Sequence, residues 1–155
     1  MKMNLKIRKA KVSDARAICA LVRETVDKIN SKDCSIKQIN AWKRHYSERI
    51  VSQKIKSKDF YCLIKNNEIV GTCFLDGDFL GGMYVSAENI GKGYGKKLIK
   101  FIEDFAREKN IKKLELFSTK MAVKFYKKAG YKLIGPVHPL MFGVKFNEFK
   151  MEKTL

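Results

Sequence analysis

The segment that decides the fold of this chain is Ile90-Gly91-Lys92-Gly93-Tyr94-Gly95-Lys96-Lys97. It stands between an apolar run, residues 79–85, and an amphipathic run, residues 98–106. The first run predicts a β-strand and the second an α-helix. Glycines at such a junction let the backbone turn tightly and approach a ligand, and the unpaired N–H groups of the first helical turn attract an anion. We therefore predict a phosphate-binding loop, to which the lysines of the segment add positive charge.

Two better-known glycine-rich phosphate motifs do not fit this segment. A Walker loop continues with Ser or Thr after its lysine, whereas Lys96 is followed by Lys97. The dinucleotide fingerprint G-x-G-x-x-G requires its third glycine one residue later than Gly95. The sequence therefore argues against both the P-loop and the dinucleotide-binding classes.

Residues 85–95, Val-Ser-Ala-Glu-Asn-Ile-Gly-Lys-Gly-Tyr-Gly, resemble the acetyl-CoA signature V-x-P-x-x-(Q/R)-G-x-G-x-(G/A) of the GCN5-related N-acetyltransferases (GNAT). Ala87 stands where this family usually has proline, and Ile90 stands where it has Gln or Arg. The family holds the pyrophosphate largely through backbone N–H groups, so the resemblance implies that acetyl-CoA still binds here. It also implies the cofactor-binding residues, which are Met83, Tyr84, Val85, Ile90, Gly91, Lys92, Gly93, Tyr94, Gly95 and Lys96.

A second GNAT motif, A-x-x-F-Y-x-x-x-G-F, is similar to residues 122–131, Ala-Val-Lys-Phe-Tyr-Lys-Lys-Ala-Gly-Tyr, with Tyr131 in the last place. Before it, residues 113–117 alternate between polar and apolar, which predicts a strand. A short helix is expected to start near residues 118–119 and to end at Gly130. The two motifs occur in the family's order and separation, and the resemblance covers essentially the whole chain.

The catalytic residue implied by the resemblance is Tyr126, the general acid that protonates the CoA sulfur. A phenol suits this task because phenols and thiols both hold their protons at neutral pH. Backbone N–H groups at residues 83–85 are expected to hold the pantetheine arm and the thioester oxygen. Many family members carry a Glu base on the preceding strand, where this chain has Phe79 and Gly81. The candidates left open for a base are Asp76, Asp78, Glu48, His45 and His138.

Periodicity and turn signals predict the order β-α-α-β-β-β-α-β-α-β-β in a single domain, residues 1–155. The helix between residues 85 and 113 makes a β-α-β unit, so the strands that flank it are expected to be parallel. In the GNAT family these strands splay apart around acetyl-CoA. The pair Gly81-Gly82 fits this, since glycine inside a strand marks a bulge or a close approach. The fold class is thus α/β (α+β): a mixed, mostly antiparallel central sheet with splayed parallel strands and flanking helices.

Local signals set the remaining elements. Ser13 and Ser35 are expected to cap the first two helices. A hairpin is predicted between strands 60–64 and 69–74, because Asn66-Asn67 is a turn pair that tolerates positive φ. Two late strands are predicted over residues 132–136 and 145–152.

The amine acceptor is defined less well by the sequence. The early helices, over residues 27–57, are expected to shape its pocket. Trp42, Tyr46 and Phe60 are candidate lining residues, although the helical spacing of Trp42 and Tyr46 also fits a core. Residues 31–42 resemble a branch of small bacterial N-acetyltransferases, and this resemblance does not name the acceptor.

The charge balance is strongly basic, with 33 Lys and Arg against 16 Asp and Glu and a formal net charge of +17. Such a field attracts polyanions, and the phosphates of CoA account for part of it. The lysines are spread along the chain rather than gathered in one stripe, which disfavours a dedicated nucleic-acid module. The expected partners are therefore acetyl-CoA and an amine acceptor. A homodimer is compatible with the sequence.

Other composition features narrow the setting. No stretch approaches the ~18 consecutive apolar residues of a membrane span, and basic residues interrupt the N-terminus where a signal peptide has its apolar core. We therefore expect a cytoplasmic protein with no membrane partner. The four cysteines lack C-x-x-C spacing, so no metal site is expected, and disulfides are out of place in that compartment. Cys62 and Cys73 are expected to be small core residues on neighbouring strands.

The leading interpretation is an acetyl-CoA-dependent N-acetyltransferase that acts on a primary amine of a small molecule or a protein, by direct attack on the thioester. Two alternatives stay open: a non-catalytic acyl-CoA-binding domain, and a basic nucleic-acid or ribosome-associated protein on the same fold. CoA binding separates the last of these from the other two, and turnover separates the enzyme from the binding domain.

Overall fold

The computed structural model describes residues 4–155. Its strands are β1 (Leu5–Lys9), β2 (Asp59–Lys65), β3 (Glu68–Asp76), β4 (Phe79–Val85), β5 (Lys113–Ser118), β6 (Lys132–Val137), β7 (Leu140–Met141), β8 (Val144–Lys145) and β9 (Glu148–Thr154). Its helices are α1 (Ala15–Lys28), α2 (Ile36–His45), α3 (Glu48–Ser57), α4 (Tyr94–Glu108) and α5 (Val123–Lys128). None of the helices in this part of the chain is long and apolar enough to span a bilayer.

Seven strands form one sheet in the order β1-β2-β3-β4-β5-β9-β6, and β7 and β8 form a separate hairpin. Every neighbouring pair in the large sheet is antiparallel except β4 and β5, which are parallel. These two strands pair only at Phe79 and Glu115, where the Glu115 N–H donates to the Asp78 carbonyl at 3.0 Å. Beyond that point they separate, so a gap opens toward their C-terminal ends. The predicted fold class, with splayed parallel strands, is confirmed.

Two hydrophobic clusters cover the two faces of the sheet. On β2, Phe60 and Cys62 belong to the cluster under α1, α2 and α3, whereas Leu63 belongs to the cluster under α4 and α5. This alternation follows the two-residue period of a strand. Cys62 and Cys73 are both 0% exposed, which confirms them as core residues, and the four cysteines of the chain are free thiols.

The start of α1 differs from the prediction. Ser13 lies inside a 3₁₀ turn, Val12–Asp14, and does not cap the helix. The local anchor is Asp14, whose carboxylate accepts the Lys11 N–H at 2.7 Å and pairs with the Arg8 guanidinium of β1 at 2.8 Å. Because this ion pair fixes the turn from outside the segment, the predicted serine cap at this position is wrong.

The predicted cap of α2 is confirmed. The Ser35 hydroxyl accepts the Gln38 N–H at 3.2 Å, and the Gln38 side chain accepts the Ser35 N–H at 2.9 Å. This reciprocal pair is a capping box, in which two otherwise unpaired donors of the first turn are satisfied. The Gln38 amide also donates to the Lys145 carbonyl at 3.0 Å, so the start of α2 is tied to the β7–β8 hairpin.

The hairpin at Asn66-Asn67 is confirmed, with φ values of 48° and 68°. The last strand differs: β9 begins at Glu148, whereas the prediction began it at residue 145. Residues 140–145 instead form the β7–β8 hairpin, which turns through Phe142 and Gly143 at φ 51° and 76°. This hairpin was not predicted from the sequence. Because it takes up residues 140–145, β9 begins later than predicted, at Glu148.

Candidate active site

A β-bulge in β4 shapes one wall of the gap. Gly82 and Met83 together stand opposite the single residue Cys73 of β3. Gly82 has a φ of 57°, and its carbonyl accepts the Thr72 hydroxyl at 2.8 Å. A Cβ at Gly82 would lie 2.5 Å from Cδ2 of Phe74, so the aromatic ring occupies the space that a side chain would need. Glycine is required here by both conformation and crowding, in agreement with the predicted bulge or close approach.

After the bulge, β4 presents backbone donors to the gap. The Ser86 N–H points to β3, where it donates to the Val70 carbonyl at 2.9 Å. Because successive N–H groups of a strand point in opposite directions, the Val85 N–H points away from β3 and into the gap. This is the stretch, residues 83–85, that was predicted to hold the thioester arm.

The glycine loop, residues 90–95, follows a short 3₁₀ turn and leads into α4. Gly91 and Gly93 have φ values of 83° and 81°, and a Cβ on either would meet no atom within 4 Å. Left-handed backbone conformation, not crowding, therefore requires glycine at both positions. Gly93 is the N-cap of α4 and supplies no side-chain cap, and the first intrahelical bond runs from the Lys97 N–H to the Gly93 carbonyl at 3.1 Å. The helix N-terminus thus presents backbone donors to an anion.

Asn89 anchors the base of the glycine loop, and the sequence analysis did not single it out. Its side chain is buried, and its Nδ2 donates to the Ser86 hydroxyl at 2.7 Å. Its Oδ1 accepts from the ammonium groups of Lys65 and Lys92 at 3.3 and 3.2 Å. Within residues 4–155, neither ammonium has a carboxylate within 4.0 Å, although Glu68 and Glu88 line the same pocket.

The predicted cofactor-binding residues fall into distinct environments. Gly91, Lys92, Gly93 and Lys96 are exposed on the loop and first helical turn, and Ile90 is 53% exposed. Residues 83–85 are half-buried along the gap. All of these groups surround the mouth of the gap, as a ligand that runs from the loop into the gap would require.

The other two loop residues have a packing role. Tyr94 is 4% exposed and belongs to the core under α4. A Cβ on Gly95 would lie 3.1 Å from Cζ of Phe125, so the absence of a side chain lets α4 approach α5 closely. Gly95 therefore brings the two sequence motifs together.

Tyr126, the predicted general acid, is buried on α5 with 7% exposure. Its ring stacks on Phe125, with centroids 5.1 Å apart, and meets the edge of Tyr131 at 5.8 Å. No hydrogen bond joins its hydroxyl to another described residue, so the O–H is available to a ligand. Burial chiefly, and then neighbouring groups beginning with Tyr84, raise the pKa of Tyr126. The phenol thus keeps its proton at neutral pH, as a general acid must.

Tyr131, which replaces the final Phe of the motif, has a structural partner. Its hydroxyl donates to Oε2 of Glu103 on α4 at 2.9 Å. The Lys153 ammonium donates to both Glu103 oxygens, at 2.9 and 3.0 Å, and to the Ala129 carbonyl at 2.8 Å. These bonds tie the end of α5 to α4 and β9, and a phenylalanine would leave one of them unmade.

Beyond the C-terminal end of β5 lies a cavity of about 280 Å³. Three segments distant in sequence enclose it: the connection between α1 and α2 with the start of α2, the turn after β5, and the start of β9. Trp42 lines it, as predicted, and donates its Nε1 hydrogen to the Tyr84 hydroxyl at 2.8 Å. The other predicted lining residues, Tyr46 and Phe60, are buried in the core with 4% and 1% exposure.

None of the five candidate bases named from the sequence lines this cavity. Nε2 of His45 accepts from the Lys54 ammonium at 2.7 Å, and burial, followed by the charges of Lys54 and Lys58, lowers the pKa of His45 to about 4. The lone pair on Nε2 of His45 therefore already accepts a hydrogen bond from Lys54. The remaining four candidates also lie elsewhere: Glu48, Asp76, Asp78 and His138.

Glu148, which the sequence analysis did not consider, does line the cavity. Its side chain forms no hydrogen bond or ion pair with any other residue in the described part of the chain. Burial raises the pKa of its carboxyl to about 7. No local sequence signal marks this residue, because its place depends on the β7–β8 hairpin that precedes it.

Comparisons with known proteins agree with this geometry. A family model described as an acetyltransferase (GNAT) domain matches residues 30–154. The structure of a GCN5-related N-acetyltransferase from Rhodopseudomonas palustris superimposes with a TM-score of 0.92, at 22% identity, over 100% of this chain and 99% of the other. A search of curated protein sequences returned no match.

Two structures that contain coenzyme A are also similar. The PaiA N-acetyltransferase from Thermoplasma acidophilum, in complex with coenzyme A, has a TM-score of 0.83 at 20% identity, over 98% of this chain and 99% of that one. The N-acetylglutamate synthase from Neisseria gonorrhoeae, complexed with coenzyme A and N-acetyl-glutamate, has a TM-score of 0.73 at 20% identity, over 100% of this chain and 36% of that one. At these identities the likeness is one of fold.

Proposed function

Because the chain belongs to the GNAT acetyltransferase family, we propose that it is an acetyl-CoA-dependent N-acetyltransferase that acts on a primary amine by direct attack on the thioester. The observation that carries the proposal is the arrangement around the gap. A glycine loop suited to an anion follows β4, and a cavity lies beyond the end of β5, the other strand that borders the gap. A donor and an acceptor bound in these two places would meet between them.

The residues around the gap fit acetyl-CoA. The backbone N–H groups of residues 91–96 would hold the pyrophosphate, with the ammonium groups of Lys65 and Lys92 beside it. The backbone of residues 83–85 would hold the pantetheine arm along β4. When bound, acetyl-CoA supplies an activated acetyl thioester. The protein must then position this group and provide side chains that accept and donate protons.

Three features of the chain would promote transfer. Fixing donor and acceptor in near-attack geometry removes much of the barrier. The Val85 N–H, directed into the gap, would polarise the thioester carbonyl. Tyr126, with its unpartnered hydroxyl and raised pKa, would give a proton to the departing sulfur.

Direct attack is favoured over an acyl-enzyme route. The cysteine that lines the cavity is Cys34. Burial first, and then the charges of Asp33 and Glu148, raise the pKa of its thiol. A thiol that holds its proton is a poor nucleophile, since the thiolate is the reactive form.

The test is thiol release from acetyl-CoA with an amine panel that includes polyamines, aminoglycosides, amino acids and a peptide with a ribosomal-protein N-terminus. We expect release that depends on at least one amine, with matching formation of the acetylated product. CoA binding without turnover of any amine would indicate a non-catalytic acyl-CoA-binding domain. Absence of CoA binding would overturn the proposal and favour the nucleic-acid or ribosome-associated alternative.

A further inference from the structure

The cavity is acidic, although the whole chain carries a net charge of +17. Two carboxylates line it, those of Asp33 and Glu148, against one ammonium, that of Lys120. Asp33 and Lys120 are exposed at its rim, whereas Glu148 is partly buried. A ligand inside the cavity therefore lies beside more carboxyl groups than ammonium groups, in contrast to the chain as a whole.

A second polar group in the cavity is also without a partner. Among the fully buried side-chain oxygen and nitrogen atoms of residues 4–155, Oδ1 of Asn30 alone makes no hydrogen bond. Asn30 also lines the cavity. Buried acceptors are normally paired, and leaving one unpaired is unfavourable. An N–H donor from a ligand would pair with the Glu148 carboxylate, which an anion or a neutral acceptor group cannot do.

The register of the sheet places Glu148 beside the reacting region. Phe149 pairs with Ser118, the last residue of β5, so Glu148 lies just past the C-terminal end of β5, where the gap is open. Glu148 is also among the groups that raise the pKa of Tyr126 and of Tyr84, after burial and closer neighbours. Its carboxylate is therefore within electrostatic reach of the proposed proton donor.

The remaining lining indicates the body of the ligand. Trp42, Phe146 and Met121 supply apolar surface next to the polar groups. The volume of about 280 Å³ lies at the small end of ligand pockets, which typically begin at roughly 300 Å³. Such a space suits a small molecule with one charged end and an apolar stem.

Resting on the proposed acetyltransferase function, we propose that this cavity binds the ammonium group of a small primary amine with an apolar stem, and that Glu148 removes the proton that the amine must lose before it attacks the thioester. Trp42 and Phe146 contact the stem.

The protons and electron pairs balance as follows. The Glu148 carboxylate takes one proton from R–NH₃⁺, and the freed nitrogen lone pair forms the C–N bond to the acetyl carbon. The C–S bond breaks with its electron pair on sulfur, to which Tyr126 gives its proton. A second proton leaves nitrogen for solvent, from which Tyr126 recovers its own. The products are the amide, the CoA thiol and one proton, which Glu148 releases.

The electrostatic setting of Glu148 suits this cycle. A carboxyl whose pKa burial raises to about 7 can take and release a proton near neutrality. The titratable or charged groups that line the cavity with it, or whose pKa its charge affects, are Asp33, Cys34, Tyr46, Tyr84, Lys120 and Tyr126; on the β6 side, where Val137 pairs with Glu148, the next titratable group is His138. Since Glu148 must be ionised to act, kcat/KM should rise as the pH passes through about 7.

The kinetic test compares wild type with Glu148→Gln on 2-phenylethylamine, from about pH 6 to about pH 9. We expect kcat/KM to fall about 100-fold or more and the inflection near neutral pH to disappear. The dissociation constant of CoA should not change. The matched control is Glu152→Gln on the same strand, where Glu152 pairs with Lys113 at 3.3 Å and does not line the cavity; it should behave as wild type.

A stability measurement gives a readout independent of turnover. Because the folded-state pKa of Glu148 is raised, its ionisation destabilises the fold as the pH rises from the ordinary carboxyl value of about 4.5 to about 7. Glu148→Gln should therefore unfold at a higher temperature than wild type at about pH 8, and at the same temperature at about pH 4. A merely structural glutamate would give a loss of stability instead.

Binding to the CoA-loaded protein separates this inference from the proposed function. By calorimetry, 2-phenylethylamine should bind, whereas neutral 2-phenylethanol should bind at least about tenfold more weakly, and Glu148→Gln should remove the difference. Equal binding of amine and alcohol, or no binding of 2-phenylethylamine, hexylamine or tyramine below about 1 mM, would overturn the inference. An active enzyme on other amines with an unchanged pH profile in Glu148→Gln would overturn it while sparing the proposed function. CoA binding and selective amine binding without turnover would overturn the proposed function and the role of Glu148 as a base, and would leave only the binding of the ammonium group.

Discussion

The glycine loop and the cavity, which border the same gap, are built in opposite ways. The loop is one contiguous stretch, residues 90–95, and its ligand-binding groups are backbone N–H donors that every residue except proline carries. The cavity takes its groups from side chains of three segments that are far apart in the sequence. The groups that the loop presents therefore depend on its backbone conformation. Those that the cavity presents depend on which residues line it and on how the tertiary structure places them.

The two regions also differ in charge. Lysines whose ammonium groups have no carboxylate within 4.0 Å stand beside the loop, whereas carboxylates outnumber the ammonium group that lines the cavity. A polyanionic donor and a cationic acceptor would each be directed to its own end of the gap. Because the loop offers backbone groups, we expect a side-chain change such as Ile90 in place of a polar residue to matter less there than a change in the cavity would.

The largest effect should come from Tyr126, the proposed proton donor. Tyr126→Phe keeps the ring and its stacking on Phe125 and removes the proton donor. Acetyl-CoA should bind almost normally while kcat falls about 100-fold or more, measured by thiol release across pH. Wild-type turnover at every pH would make Tyr126 a packing residue, and protonation of the sulfur would then come from water or another group.

A change in the backbone conformation of the loop should affect donor binding next most strongly. Gly93→Val forces a branched side chain to φ near 81°, which costs about 1–2 kcal/mol of strain and displaces the anion-binding amides. We expect CoA affinity to fall about tenfold or more by calorimetry. The matched control is Gly77→Val, at φ 62° in the turn before β4 and equally uncrowded.

Gly77→Val should lose a similar amount of stability and retain CoA affinity, because its turn precedes β4 and is separate from the loop. Equal losses of affinity in both variants would show that strain in general, not the loop, weakens binding. Unchanged affinity in a folded Gly93→Val protein would remove the loop from the proposed donor site.

A smaller effect is expected at the second tyrosine of the same motif. Tyr131→Phe deletes the hydroxyl that donates to Glu103 at 2.9 Å and leaves the Lys153 bonds in place. The free energy of unfolding should fall by about 1 kcal/mol, measured by urea titration, with kcat unchanged. A large loss of kcat in Tyr131→Phe would mean that Tyr131 takes part in catalysis, so that the two tyrosines would no longer have separate structural and catalytic roles.

The smallest effect should come from a single lysine of the loop. Lys92→Gln removes a charge beside the pyrophosphate site and should weaken CoA binding by about twofold to fivefold at low salt, with the difference vanishing at high salt. Lys112→Gln, an exposed residue before β5 and remote from the loop, is the control and should change affinity little. An equal effect of both substitutions would show that the overall charge attracts CoA without a localised site.

The elements predicted from the sequence are those whose causes are local. Asn66-Asn67 turns because adjacent asparagines tolerate positive φ, and Ser35 caps because Gln38 stands three residues on. The predicted helix cap at Ser13 was wrong because Asp14 anchors the turn instead, and Asp14 is held by Arg8 of another element. Glu148 was missed for the same kind of reason: its environment arises from the hairpin before it and from helices far earlier in the chain.

The single pairing of β4 with β5 has a mechanical consequence. The Glu115 N–H bond to the Asp78 carbonyl joins the two strands at one end, and the strands are unpaired beyond it. The sheet therefore has two halves that are connected at this one place. Opening the far end by an ångström or so breaks no ladder hydrogen bond. The two sides are held together instead by contacts of α4, which include the ring of Phe125 beside Gly95 and the hydrogen bonds of Glu103 with Tyr131 and Lys153. Tolerance for acyl chains thicker than acetyl would therefore depend on these helix contacts and not on the sheet.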